Sequence, residues 1–115
     1  MIKQFILGDV VQLDVAFSEN HREQKSRWGI VLQQDGALIQ VVWASTQKVD
    51  AANPLPGEFC VTREEEMRAM GHTKPCRYSF PRGGVVVVRA DAIKRLVGKT
   101  PASVMDRLVR AARAY

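Results

Sequence analysis

The sequence has few of the residues that stabilise small folds through covalent or metal links. Its 115 residues include only two cysteines, Cys60 and Cys76, and two histidines, and no CxxC pair occurs. Neither a zinc site nor a disulfide framework is therefore indicated, and a reducing compartment fits this composition best. We expect the protein to need no metal and no cofactor.

Long hydrophobic runs are also lacking. The longest uninterrupted valine run is Val85–Val88, and the opening MIKQFILGDVV does not have the pattern of a secretory signal. These features predict a soluble, cytoplasmic protein that does not contact a membrane.

Aromatic residues make up only 7% of the chain, against 46% hydrophobic and 25% charged residues. This is the composition of an ordinary folded domain rather than a fibre or a disordered tail. A chain of this length can bury a core without disulfides, so we expect residues 1–115 to form a single domain.

Acidic residues are scarce in the second half of the chain. Residues 1–57 carry five Lys or Arg against six acids, a net charge of −1, whereas residues 74–115 carry ten basic residues against two acids, a net charge of +8. Such a bias predicts a positive field that favours polyanions such as nucleic acid. The alternative is a solvated basic surface without a partner.

The first half of the chain has the pattern of antiparallel strands. Residues 11–17 alternate apolar and polar side chains, which predicts a half-buried strand, and the polar residues 18–26 predict a long loop. Asp35-Gly36 is a hairpin signal that joins a second strand around residues 30–32 to a third strand over residues 37–44.

Prolines and helix signals interrupt the pattern after residue 47. Residues 50–58 contain two prolines and a glycine, which exclude a regular central element. A capping box at Thr62 predicts a short helix that ends at Gly71. Short strands are predicted on either side of this helix, at residues 59–61 and around Tyr78 and Phe80.

The last third of the chain predicts one more strand and a helix. The β-branched run Val85–Arg89 predicts a strand that is central or buried on both faces, and Asp91 is expected to cap a helical turn that ends at Gly98. Thr100 and Pro101 should begin a final helix, whose predicted apolar stripe is Val104, Leu108, Val109 and Ala112. The pattern as a whole predicts a mainly β, α+β fold: a small antiparallel barrel with short helices.

Several segments resemble the MazF/PemK family of toxin endoribonucleases. GDVVQLDVAF, SRWGIVL and VVWASTQK are similar to the first three strands of that family, VVVVRAD to its Val-Val-Arg-x-Asp segment, and VGKTPASVMDRLVRA to its terminal helix. Residues 53–82 match poorly and are interpreted as an insertion that contains the short helix.

The resemblance implies an SH3-like barrel of five to seven strands that cleaves single-stranded RNA without a metal, by attack of the 2′-hydroxyl. It also implies that a cognate antitoxin protein holds the enzyme inactive and that the chain forms a homodimer. We expect Tyr78, Phe80 and Val85–Val88 to supply apolar surface for that dimer.

The resemblance also implies the catalytic residues. Arg27 would hold a phosphate, since a guanidinium can donate two hydrogen bonds to it; the alternative is a structural arginine that pairs with Glu23 or Asp14. The remaining predicted catalytic residues are the reversed Thr-Ser pair Ser45 and Thr46, the pair Arg89 and Asp91, and His21 in the polar segment.

The predicted RNA-binding residues are Trp28, Lys25, Gln47 and Arg77. Trp28 stands where the family has proline, and it either stacks on a base or fills the end of the barrel. The final helix carries an arginine every three residues: Arg107, Arg110 and Arg113. The alternatives for these arginines are that they bind phosphate, that they bind the antitoxin, or that they only keep this face of the helix in solvent.

Two other functions are compatible with the same fold. The first is a non-catalytic module that binds RNA or protein, since small barrels have unrelated functions. The second is a topoisomerase poison, which the ending RAARAY disfavours because it lacks the Trp-Gly-Phe-type ending of that group.

Overall fold

The computed structural model of the chain describes residues 2–17, 20–81 and 83–115, and for residues 15–17 and 20–25 it describes the backbone without the side chains. Within these residues there are seven strands, two α-helices and one 3-10 turn. In chain order they are β1 (Asp9–Phe17), β2 (Asn20–Asp35), β3 (Leu38–Ser45), β4 (Glu58–Val61), α1 (Glu64–Ala69), β5 (Cys76–Ser79), β6 (Val85–Arg89), the 3-10 turn (Ala90–Ala92), β7 (Ile93–Lys99) and α2 (Ala102–Ala114).

The seven strands form one antiparallel sheet. Its order is β4-β5-β3-β2-β1-β7, and β6 pairs with β3 beyond the end of β5. Across the part of the chain that is described, no pairing joins β7 to β4 or to β6, so the sheet is not closed into a barrel. The predicted class is confirmed: a mainly β, α+β fold with an inserted short helix and a C-terminal helix.

Several predicted elements are confirmed. The first strand covers residues 11–17 and begins slightly earlier, at Asp9. The Asp35-Gly36 turn joins β2 to β3, with Asp35 paired to Leu38 and Gly36 at φ +58°, a backbone angle that glycine adopts without strain. Short strands occur near Phe59 and Tyr78 as β4 and β5.

The predicted loop over residues 18–26 is wrong where the backbone is described. Asn20 to Ser26 belong to β2, which pairs with β1 in this segment with Gln24 opposite Ala16 and Ser26 opposite Asp14. An antiparallel ladder satisfies backbone donors and acceptors whatever the side chains are, so a polar segment can extend a hairpin. Ser18 and Glu19 lie outside the described residues.

Two predictions for the last third of the chain are also wrong. β6 is neither central nor buried on both faces, because among the described strands it pairs with β3 alone and Val87 is 61% exposed. The helical turn expected to end at Gly98 is a short 3-10 turn followed by β7, which pairs with β1. Asp91 lies inside that 3-10 turn and makes no capping hydrogen bond.

Both helices begin one residue later than predicted. Arg63 rather than Thr62 precedes α1, and Pro101 rather than Thr100 precedes α2; neither helix has a side-chain cap. Arg63 and Pro101 both have extended backbone angles, so each helix turns only after them. Gly71 follows the C-terminal end of α1 as predicted. Its φ is +70°, and a Cβ at this position would lie 2.4 Å from the backbone oxygen of Val97.

Both faces of the central strands are buried. Neighbouring residues of each strand point to opposite faces: Val10, Ile30 and Val42 pack in the core beneath α2, and Val11, Val31 and Val41 pack in a second core on the other face. The larger core also contains Tyr78 and Phe80, which are 0% and 8% exposed. The expectation that these two aromatics supply dimer surface is therefore wrong.

Helix α2 packs through a narrow apolar face. Its buried residues are Val104, Leu108 and Ala111, whereas Val109 and Ala112, which were predicted for this face, are exposed. The spacing of four and then three residues keeps the buried set on one side of the helix.

An ion pair between a buried glutamate and a partly buried arginine joins the two helices. The Arg107 guanidinium donates two hydrogen bonds of 2.8 Å to Glu66, and the Ser103 hydroxyl donates one of 2.7 Å. Arg107 lowers the pKa of this carboxyl, and the side chain of Glu66 is 4% exposed. Arg107 is therefore a structural residue.

Candidate functional site

Several predicted site residues meet where β2 and β3 run side by side. The register pairs Gly29 with Trp43, so Arg27 and Ser45, which continue these strands, lie at the same end of the hairpin. A cavity of about 160 Å³ at this end is lined by Arg27, Trp28, Ser45, Thr46 and Gln47, together with Ser26 and Ala44.

Arg27 is held in a defined position at this end. Its Nη1 donates a 3.1 Å hydrogen bond to the backbone oxygen of Ala44, and its guanidinium carbon lies 5.2 Å from the centre of the Trp43 ring. Burial lowers the pKa of Arg27 from its usual value, although the side chain stays charged at neutral pH. Asp14, one of the partners considered for Arg27, pairs instead with Lys94 at 3.1 Å.

The hydroxyl pair has one bound and one exposed member. Ser45 Oγ accepts a 3.1 Å hydrogen bond from the backbone N–H of Gln47, which stabilises the turn after β3. Thr46 and Gln47 are exposed at this turn. A serine hydroxyl that accepts one hydrogen bond still has its own proton to donate. Both hydroxyls can therefore donate a hydrogen bond to a phosphate oxygen.

A second and larger cavity adjoins the first. It has a volume of about 690 Å³ and shares Arg27, Ala44 and Ser45 with the smaller one. Its wall also carries Arg77, which was predicted, and other residues that were not, among them Trp43, Lys48 and Glu58. We call the two adjoining cavities the Arg27 groove.

Arg77 enters the groove as part of an ion pair. Its Nη1 lies 2.5 Å from Glu58 Oε2, which also accepts a 3.3 Å hydrogen bond from the Ser79 hydroxyl. The Arg77 Nε donates a 3.3 Å bond to the backbone oxygen of Gln47. Arg77 therefore connects the paired strands β4 and β5 to the turn that carries the hydroxyl pair.

No local sequence signal would have identified Glu58. It stands at the start of a four-residue strand, within the segment that matches the family poorly. It reaches the groove because β5 pairs with both β3 and β4, a contact that only the fold reveals.

Arg89 and Asp91 are not part of this groove. Arg89 pairs with Leu38, at the opposite end of β3 from Ser45, so about 23 Å of strand separates the two positions. Arg89 Nε lies 3.3 Å from Asp91 Oδ1, and both side chains are exposed. The structure therefore does not bring this pair together with Arg27.

His21 and Lys25 both lie on β2, but their side chains fall outside the described part of the structure. Their predicted roles in catalysis and RNA binding remain predictions.

Trp28 has a packing role in addition to lining the smaller cavity. Its ring stacks on the imidazole of His72, with centroids 4.2 Å apart, and His72 Nε2 lies 2.8 Å from the Tyr78 hydroxyl. His72 is 6% exposed, and burial lowers its pKa from 6.5 to about 4. The imidazole is therefore neutral at physiological pH and supports one face of the indole.

Folding compensates much of the charge bias along the sequence. Four of the ten basic residues between positions 74 and 115 pair with acids from the first 66 residues. These pairs are Arg77–Glu58, Lys94–Asp14, Lys99–Asp9 and Arg107–Glu66. The net charge of +8 in the last third of the sequence is thus not a free positive face of the molecule.

In the part of the chain that is described, no group of three or more His, Cys, Asp or Glu side chains is arranged to hold a metal ion. Neither described helix is long and apolar enough to cross a membrane. No model of a known protein family matches the sequence, and no curated protein matches it.

Proposed function

We propose that the chain is a metal-independent endoribonuclease that binds single-stranded RNA in the Arg27 groove and cleaves it by attack of the 2′-hydroxyl. In this proposal it is the toxin of a toxin–antitoxin system, as the resemblance to the MazF/PemK family implies. The observation that carries the proposal is that Arg27 on β2 and the consecutive Ser45 and Thr46 at the end of β3 line one cavity.

The chemistry of the groove suits a phosphodiester. The transition state places extra negative charge on the phosphate oxygens, and positioned donors stabilise that charge. Arg27 supplies a fixed positive charge, and the hydroxyls of Ser45 and Thr46 supply donors beside it. The stacked Trp28 offers a flat surface on which a base can stack.

The test is cleavage of a long unstructured RNA in the presence of a chelator, with the new ends mapped by their phosphate chemistry. We expect the wild-type protein to leave 2′,3′-cyclic phosphate ends and Arg27→Ala to lose about 100-fold or more of that activity. Arg68→Ala, which removes an exposed arginine on α1, is the matched control and should cleave normally. Full activity of Arg27→Ala would refute the assignment.

A second candidate is a non-catalytic RNA-binding module on the same fold. The observation in its favour is the distance of Arg89 and Asp91 from the groove, since their predicted catalytic role would require them near Arg27. This alternative predicts binding without cleavage. Its affinity should fall with salt, with a slope of about −0.7 in log–log form for each phosphate contact.

The homodimer and the antitoxin are further parts of the proposal. Val87 and Leu38 are exposed apolar residues on β6 and β3 and could contribute to a dimer surface. Sedimentation at micromolar concentration should show a dimer, and a monomer at that concentration would exclude one. Co-purification of the chain with a protein encoded by a neighbouring gene would test whether it has a cognate antitoxin.

A further inference from the structure

We propose that Glu58 is the general base that accepts the 2′-hydroxyl proton in the Arg27 groove, an assignment that rests on the function proposed above. Among the described residues that line the two cavities, Glu58 is the only one with a carboxylate or an imidazole. It belongs to the inserted segment, and neither the resemblance nor the sequence pattern assigns it a role.

The contacts of Glu58 leave one carboxylate oxygen for this task. Oε2 accepts hydrogen bonds from Arg77 and Ser79. Oε1 has no hydrogen-bond partner among the residues that the structure describes. The side chain is 10% exposed, so the carboxylate is held in the groove wall rather than extended into solvent.

Arg77 supports the same step from the other side of the carboxylate. Its bond to Oε2 fixes the orientation of the carboxylate, and its bond to the Gln47 oxygen fixes the distance to the turn that carries Ser45 and Thr46. A guanidinium has five N–H donors, so Arg77 can hold Glu58 and still offer charge to a phosphate.

In the proposed step, Glu58 Oε1 takes the proton of the 2′-hydroxyl while the 2′-oxygen attacks phosphorus. The bond between phosphorus and the 2′-oxygen forms, and the bond between phosphorus and the 5′-oxygen breaks. The leaving 5′-oxygen takes a proton from water, and Glu58 returns its proton to solvent. The products are a 2′,3′-cyclic phosphate and a 5′-hydroxyl, with no change of oxidation state.

The experiment measures cleavage and binding separately. Glu58→Gln keeps the shape of the side chain and removes its basicity, so its cleavage rate should fall about 100-fold or more. Its affinity for a 2′-O-methyl RNA, which cannot react, should stay within about threefold of the wild type. Glu64→Gln, an exposed glutamate on α1, is the matched control and should change neither quantity.

Chemical rescue distinguishes a base from a structural residue. Added formate can occupy the space that Glu58→Ala leaves and should raise the cleavage rate of that variant in proportion to its concentration. A Glu58→Ala variant that binds 2′-O-methyl RNA but shows no rescue would overturn the assignment. If neither Gln nor Ala at this position folds, Glu58→Asp keeps the charge, and an unchanged rate in that variant would also count against it.

The outcomes separate this inference from the function on which it rests. Wild-type cleavage together with an equally active Glu58→Gln would overturn the role of Glu58 and leave the ribonuclease in place. Binding of RNA by the wild type without cleavage would overturn both.

Discussion

The buried histidine His72 should make the stability of the fold depend on pH. Its pKa is lowered from 6.5 to about 4 because burial disfavours the charged imidazole. Between these two values the unfolded chain binds a proton that the folded chain does not. The free energy of unfolding is therefore highest above about pH 6.5 and falls as the pH is lowered toward 4.

The size of the effect follows from the two pKa values. The full difference corresponds to about 3 kcal/mol, of which about 2 kcal/mol is lost between pH 7 and pH 5. This is a large fraction of the stability of a small domain. Carboxylates also titrate as the pH falls, so the contribution of His72 must be measured as a difference between variants.

The measurement is urea unfolding at pH 7 and pH 5, followed by tryptophan fluorescence and circular dichroism. Both proteins carry His21→Gln, so that His72 is the only imidazole in the reference protein. The second protein adds His72→Gln, and the reference should lose about 2 kcal/mol more than it does between the two pH values. Losses that agree within about 0.5 kcal/mol would refute the reasoning.

Further predictions concern single contacts in the fold. Glu66→Gln should cost about 2 kcal/mol of unfolding free energy at pH 7 because it removes the ion-pair partner of the partly buried Arg107, whereas exposed Glu65→Gln should stay within about 0.5 kcal/mol. The pKa of Glu66 is lowered in the folded state. The stability difference between the wild type and Glu66→Gln should therefore be present above the pKa of glutamate in the unfolded chain, about 4.3, and shrink as the pH falls below it. A difference that stays constant when urea unfolding is measured across that range would contradict this reasoning. Gly84→Ala should prevent normal folding because its Cβ would lie 1.5 Å from the backbone oxygen that ends β5. Gly36→Ala, which meets nothing within 4 Å but has φ +58°, should cost only about 1 kcal/mol in thermal or urea unfolding, and equal losses in the two glycine variants would contradict this account.

The local part of the candidate site could be predicted from the sequence. Ser45 ends β3 and Arg27 lies in the middle of the longer β2, and the two strands are joined by a recognisable Asp35-Gly36 turn. A hairpin with a fixed register must bring these two residues side by side. The position of Arg89 relative to Arg27 could not be predicted in this way. Arg89 is also on a strand that pairs with β3, but at the opposite end, and the sequence does not specify which residues of two non-consecutive strands lie opposite each other.

The surface charge of the folded protein could likewise be predicted only in part from the sequence. The sequence predicts a strongly basic last third, but pairs such as Lys94–Asp14 and Arg107–Glu66 join it to acids from the first 66 residues. Net charge is a property of the chain, whereas the field at a surface depends on which charges the fold places side by side.

The sequence by itself determined the fold class, the β2–β3 hairpin and the end of the hairpin at which Arg27 lies, because these depend on alternation and turn residues that are close together in the chain. Only the tertiary structure decided that Glu58 and Arg77 join Arg27 in one groove, that Trp28 stacks on a neutral His72, and that Arg89 stands apart. These arrangements depend on contacts between strands that are far apart in sequence, such as those of β5 with β3 and β4, and no local pattern encodes their register.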